Sequence, residues 1–325
     1  MRYVQIPHTE LRPAVLSMGS ICSVEGPVTD AYRILDMYRD AGGNLLDSAN
    51  VYGKFFPAGT NICDIHIGNW LKSRGCRNRF IVETKGGHPD VKDFTRSRLD
   101  IESVRSDIEE SLAALQTDSI DLFYLHRDDR SLPVGEIIEY LNDFRKVGLI
   151  RHFGCSNWEP DRICQAQAYA AAHGLEGFAA NQLLWSMADA DMRHYPWGGC
   201  TNMTAEAFDY HRTADMAVFA YESQARGFFQ KYRDGGGKAV PENLLALYGS
   251  PRNIARYKRA VRLAEDKDLP LSAVILAYLT SAPFPSGALI GPRTPEQFED
   301  SMTAADIELT PEEFIYLKGD SDYLQ

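Results

Sequence analysis

Along the chain, short apolar runs alternate with longer stretches whose apolar residues recur at i, i+3, i+4 and i+7, the strand and helix patterns in turn. The runs fall at 14–19 (AVLSMG), 44–49 (NLLDSA), 80–85 (FIVETK), 120–126 (IDLFYLH), 151–157 (RHFGCSN), 178–183 (FAANQL), 216–222 (MAVFAYE) and 287–291 (GALIG). Amphipathic stretches lie between them at 30–42, 64–75, 98–116, 135–148 and 160–174, several ending in glycine, a common helix stop. Further helices are expected at 253–268, 270–281, 295–304 and 311–318. Alternation of this kind predicts an α/β chain with a parallel sheet, and eight units close a (β/α)8 TIM barrel. Residues 1–15 read as a short β-hairpin ahead of the first barrel strand. The segment 223–252 carries three consecutive glycines and two prolines. It is too long for an ordinary connection, so it is expected to be a long loop folded over the site as a flap. The whole chain, 1–325, is expected to be a single barrel domain.

Composition narrows the function. The chain has 325 residues, 44% of them hydrophobic and 24% charged, enough for a large core. A formal net charge of −11 argues against nucleic acid or an acidic membrane surface as partner. No apolar run reaches the roughly 18–20 residues of a membrane helix. The six cysteines are scattered, with no CxxC pair and no Cys/His cluster at zinc spacing, so reduced thiols and no metal are expected. The first residues, MRYVQIPHTELRP, are polar and mixed, unlike a signal peptide, which makes the cytoplasm the expected location. The oligomeric state is not readable from these patterns.

Active sites of such barrels lie at the C-terminal ends of the strands, and the residues there are chemically informative. Strand 2 ends in Asp47, with Tyr52 just beyond; strand 3 ends in Lys85, strand 4 in His126. Singly, each has an ordinary explanation: a helix cap, a solvated charge, a packed histidine. Together on three consecutive strand ends they fit one chemistry. A nearby ammonium stabilises a phenolate, so Lys85 is expected to make Tyr52 more acidic than a free tyrosine. Asp47 would hold Lys85 charged. His126 would hydrogen-bond a carbonyl oxygen or relay a proton. The result is a general acid aimed at an oxygen that turns anionic as hydride arrives at carbon. No side chain donates hydride, so a nicotinamide cofactor is implied.

The stretch GGNLLDSANVYG (42–53) resembles the GxNxxDTAxxYG signature of the aldo-keto reductases, with Ser48 in place of the usual Thr. ETKGG, YLHRDD, FGCSN, NQLLWS and ALIGPRTPEQFEDS also resemble that family's motifs, in the family's order. The resemblance implies a catalytic tetrad of Tyr52, Asp47, Lys85 and His126, with Tyr52 as proton donor. It implies that Ser156, Asn157 and Gln182 hold the nicotinamide carboxamide and that Tyr221 stacks on its ring. Gly19 and Ser20 would line the ribose side. Gly291, Arg293, Gln297, Asp300 and Ser301 would take the adenosine end. Arg293, beside Thr294 at the start of a helix opened by Pro295, makes a phosphate site, so NADPH is expected as cofactor over NADH. YESQARG (221–227) departs from the family's YSPLARG. Gln224, Arg226 and Gly227 are carried over as cofactor residues, and Glu222 is expected either to turn aside onto Arg226 or Lys231 or to modify cofactor binding.

Candidate substrate residues on the loops are Lys54, Phe55, His88, Arg127, Asp128, Trp158, Trp185, Arg193 and Trp197, with Lys54, His88, Arg127 and Trp158 foremost. Aromatic planes mixed with charged groups suit a sugar or oxo-sugar, so a small carbonyl or alcohol of that kind is the expected substrate. Two other functions compete with this one. A Schiff base at Lys85 would make a lyase of aldolase type but leaves Tyr52 and His126 idle. A nucleotide-sensing regulatory protein with little turnover would keep the cofactor residues and not need the tetrad.

Overall fold

The computed structural model describes residues 1–24 and 26–319. Its strands are β1 (Leu16–Met18), β2 (Leu45–Asp47), β3 (Ile81–Gly86), β4 (Ile120–Leu125), β5 (Ile150–Ser156), β6 (Ala180–Leu184), β7 (Ala217–Tyr221) and β8 (Ser286–Ile290), closed in that order into a parallel barrel. These are the eight apolar runs of the sequence. They are buried on both faces, and such strands lack polar alternation. Helices α1 (Thr29–Asp40), α2 (Ile62–Arg74), α3 (Ile101–Leu115), α4 (Val134–Lys146), α5 (Pro160–His173) and α6 (Ala205–His211) follow the first six strands. Asn61, Asp100 and Thr204 cap α2, α3 and α6 by accepting backbone N–H bonds, and Gly75 and Gly174 end α2 and α5 in the left-handed region.

The N-terminal hairpin is reduced to one antiparallel bridge, Tyr3 to Ala14, with Ile6 and Leu11 bonded across it. Its value is packing. Ile6 and Leu11 join Leu45, Leu122, Tyr124, Ala180, Ala217, Phe219 and Leu289 in the barrel interior. They plug the N-terminal end, each burial contributing roughly 1.5–3 kcal/mol. The mouth lies at the opposite end.

The expected flap at 223–252 is not an open loop. It holds α7 (Phe228–Gly235) and α8 (Glu242–Tyr248) before α9 (Pro251–Asp266). Phe228 packs on Tyr248 and Phe229 on Tyr257, so apolar contacts rather than backbone freedom shape it. Then come α10 (Leu271–Thr280), the all-buried helix before β8, α11 (Pro295–Met302) and α12 (Pro311–Lys318).

Candidate active site

Pleat alternation turns Asp47 and Lys85 inward at the mouth. Lys85, 1% exposed, donates to Asp47 Oδ1 at 2.6 Å and to the Ser48 carbonyl at 2.7 Å. Its third direction faces Tyr52 Oη at 3.5 Å. Tyr52 is delivered by a turn that only glycine completes. Gly53 has φ +111°, and a Cβ there would meet Ile62 Cγ2 at 2.3 Å and Thr60 O at 2.7 Å. His126, directly after β4, stands edge-on to Tyr52 with ring centroids 5.7 Å apart. The four side chains picked from strand ends thus form one cluster. Ser20 Oγ and Gln182 Nε2 also donate to Asp47, at 3.3 and 2.9 Å.

Burial works against the charge on Lys85, but Asp47 and the neighbouring oxygens outweigh it, and its pKa lies above the ordinary lysine value. The sequence reading expected Lys85 to make the phenol more acidic than usual. Burial outweighs that attraction, and the Tyr52 pKa is raised instead. Tyr52 is therefore fully protonated at neutral pH, the state a proton donor needs before reaction. Burial, with Arg127, His88 and Lys85 nearby, holds His126 well below the usual histidine range, so its ring is neutral. Its buried Nδ1 has no partner among the described residues.

Of the residues expected at the nicotinamide, Asn157 (φ +63°) is a hub. Its Oδ1 accepts from Tyr221 Oη at 2.7 Å and from the Thr201 N–H, and its Nδ2 donates to Ser156 Oγ and the His126 carbonyl. The Tyr221 ring is partly exposed at the mouth. Gly19 lies against Ile290 O, placing the β1 end beside the β8 end. Beyond β8, Gly291 has open space, Arg293, Gln297 and Asp300 are exposed, and Thr294 caps α11. Gln224 donates to Ser301 Oγ at 3.1 Å, tying the segment after β7 to α11. Glu222 turns aside. It accepts from Tyr195, Tyr248 and Arg226, and Lys231 donates to the Arg226 carbonyl. Arg226 lies over the Tyr195 and Trp197 rings, next to Gly227 at φ +76°.

The substrate candidates divide. His88 is 5.0 Å from His126 between ring centroids and edge-on to Phe55 and Phe94, which stack on each other. Arg127 is half-buried next to His126. The others are placed elsewhere. Lys54 donates to Asn50 and pairs with Glu110 on α3. Trp158 is buried against Phe178, donating to the Arg127 carbonyl. Asp128 pairs with Arg162, Trp185 packs on Phe284, and Arg193 pairs with Asp191 on the surface. Sequence reasoning missed Phe94, the Tyr195–Tyr248 grip on Glu222, and Glu83, a wholly buried carboxyl two residues before Lys85. Period-two alternation could have found Glu83, since it faces the way Lys85 faces.

Residues 24–319 match the model of the aldo/keto reductase family, and the chain belongs to that family. It is an oxidoreductase whose family uses a nicotinamide cofactor on small-molecule substrates. Among its relatives is an uncharacterized oxidoreductase, YrpG, of Bacillus subtilis, 28% identical over 96% of this chain and 93% of that one. Norsolorinic acid reductase B of Aspergillus parasiticus is 28% identical over 96% and 82%, and an aryl-alcohol dehydrogenase of Pestalotiopsis microspora 27% over 90% and 73%. Among the described residues no helix is long and apolar enough to cross a membrane.

Proposed function

We propose that the protein reduces the carbonyl of a small aryl aldehyde or ketone to an alcohol, with NADPH as cofactor and Tyr52 as proton donor. The observation that carries this reading is the ammonium of Lys85, bound to Asp47 at 2.6 Å and facing Tyr52 at 3.5 Å at the barrel mouth. A bound dihydronicotinamide supplies the hydride. The residues fit such a group: the unpartnered His126 Nδ1, the partly exposed Tyr221 ring, open backbone at Gly291 and a capped helix start at α11. Arg293 beside that helix start supports the 2′-phosphate of NADPH over NADH.

Tyr52 starts protonated and gives its proton to the carbonyl oxygen as that oxygen becomes anionic. An alkoxide is a far stronger base than a phenolate, so the transfer runs downhill even from a raised tyrosine pKa. Lys85 stabilises the phenolate left behind, and Asp47 keeps Lys85 charged. Neutral His126 orients the carbonyl without adding a competing charge.

The sugar expectation rested on a mixed lining of aromatic and charged side chains, and two of its foremost members are committed elsewhere than the mouth, Lys54 to Glu110 and Trp158 to Phe178. What remains there is Phe55 and Phe94, each more than half exposed and stacked 6.3 Å apart, with His88 and Arg127. That platform suits a flat aromatic ring. The name of one relative, an aryl-alcohol dehydrogenase, supports the same reading. Initial rates of NADPH oxidation with 4-nitrobenzaldehyde, other benzaldehydes, aldoses and oxo-sugars test it. Burial of a ring worth roughly 1.5–3 kcal/mol should favour the benzaldehydes in kcat/KM by about 10–100-fold. A preference for sugars overturns the substrate assignment. NADPH binding without turnover of any aldehyde would favour the nucleotide-sensing role instead.

A further inference from the structure

The barrel interior holds a carboxyl group that the proposed reaction does not use. Glu83 of β3 is wholly buried and lies opposite Asp47 of β2 in register. Its Oε1 accepts from Gln182 Nε2 at 3.1 Å, and the same nitrogen donates to Asp47 Oδ1 at 2.9 Å. Both hydrogens of the Gln182 amide are therefore engaged by carboxyls. The three hydrogens of Lys85 are taken by Asp47, the Ser48 carbonyl and Tyr52, and none is left for Glu83. Glu83 Oε2 has no partner among the described residues, and neither has the hydroxyl of Tyr124, which acts on Glu83 from β4.

The groups facing Glu83 are Asp47 on β2, Lys85 on β3, Tyr124 on β4 and Gln182 on β6. One ammonium thus stands against two carboxyls. Two carboxylates would leave a net negative charge out of water, a penalty of several kcal/mol, and retaining one proton removes it. Lys85 and Ser20 serve Asp47, so the proton falls to Glu83. Burial first and Asp47 second drive its pKa well above the usual glutamate value. The Tyr124 hydroxyl pulls the other way, toward the charged form, but more weakly than burial and Asp47.

We propose that Glu83 is a positioning residue of the reductase site, held as a neutral acid. It orients the Gln182 amide so that the carbonyl oxygen is its free end, and it leaves Asp47 the single anion beneath Lys85. The role given to Gln182 rests on the proposed function; the protonation of Glu83 does not. A glutamate recognising the nicotinamide through Gln182 changes cofactor affinity, whereas one that only fills space does not.

Carboxyl carbon NMR of protein labelled at the glutamate side-chain carboxyl, without cofactor, tests the protonation directly. One glutamate resonance should stay at the protonated position at about pH 8, where an ordinary glutamate is fully ionised. Its absence overturns the proposal and needs no variant. Glu83→Leu should weaken NADPH binding about tenfold, because one Gln182 N–H loses its acceptor. Glu83→Gln, a neutral acceptor of the same shape, should restore binding. Wild-type affinity in a folded Glu83→Leu protein overturns the positioning role. A shift of a pH unit or more in the kcat/KM profile of Glu83→Gln would mean that Glu83 carries charge. Failure of Tyr52 as donor would leave the NMR result untouched, so the two readings fail separately.

Discussion

Replacing Lys85 by methionine removes the ammonium while keeping most of the stem. The ammonium faces Tyr52 Oη at 3.5 Å. At an effective dielectric constant near 20, unit charges at that distance interact by about 5 kcal/mol. Asp47 is present in both proteins and cancels, so about 5 kcal/mol of phenolate stabilisation is lost, or roughly 10³–10⁴-fold in kcat. Stability is the second readout. Asp47 is 3% exposed, and without Lys85 it becomes a buried charge without its cation, which costs roughly 3–5 kcal/mol. The double variant Asp47→Asn/Lys85→Met removes that stranded charge. It should recover about half of the lost stability and none of the activity. Urea denaturation and single-turnover NADPH oxidation with 4-nitrobenzaldehyde measure both. A Lys85→Met enzyme within tenfold of wild type, or a double variant no more stable than the single one, refutes the reasoning.

Gly53→Ala forces a side chain into a left-handed turn against Ile62 and Thr60; it should destabilise by about 1–3 kcal/mol and lower kcat/KM at least tenfold by displacing Tyr52. Kinetics and denaturation together decide it, and wild-type kcat/KM would remove the turn from the account. His88 and His211 are held down to about 4, burial being the main cause in each. Between that value and the unfolded value near 6.5 the unfolded chain binds more protons, so stability is complete above about pH 6.5 and falls on acidification. Each histidine should contribute about 1.4 kcal/mol per pH unit in that window, and denaturation at pH 7, 5.5 and 4.5 measures the slope. His211→Gln should flatten it; stability independent of pH would contradict the burial of neutral imidazoles. Arg293→Ala should weaken NADPH about tenfold or more in a fluorescence titration while leaving NADH within about twofold. Equal losses for both would place the 2′-phosphate elsewhere.

The barrel was legible because its strands are sealed on both faces and read as unbroken apolar runs. Helix α6, at seven residues, is too short to show a period, and the glycine-rich stretch around α7 reads as loop until Phe228 and Phe229 find Tyr248 and Tyr257. At the site, strand ends fix direction: Asp47, Lys85 and His126 had to face the mouth. Loop side chains carry no such constraint. Lys54 is caught by Glu110, which lies 56 residues away in sequence, and Trp158 sinks onto Phe178. Glu222 could be foreseen to avoid a pyrophosphate, but Tyr195 and Tyr248, its partners besides Arg226, come from distant segments. The acidity of Tyr52 was misjudged for a related reason. Sequence displays the neighbouring charge but not the depth of burial, and burial is the larger effect.

Hydride transfer in Tyr52→Phe, followed in a single turnover with saturating NADPH and 4-nitrobenzaldehyde, puts the proton-donor assignment to its most direct test. The variant keeps the ring and loses only the hydroxyl oxygen that faces Lys85. The rate should fall by about 10²–10⁴-fold while the NADPH Kd stays within about threefold. A rate within tenfold of wild type would contradict it.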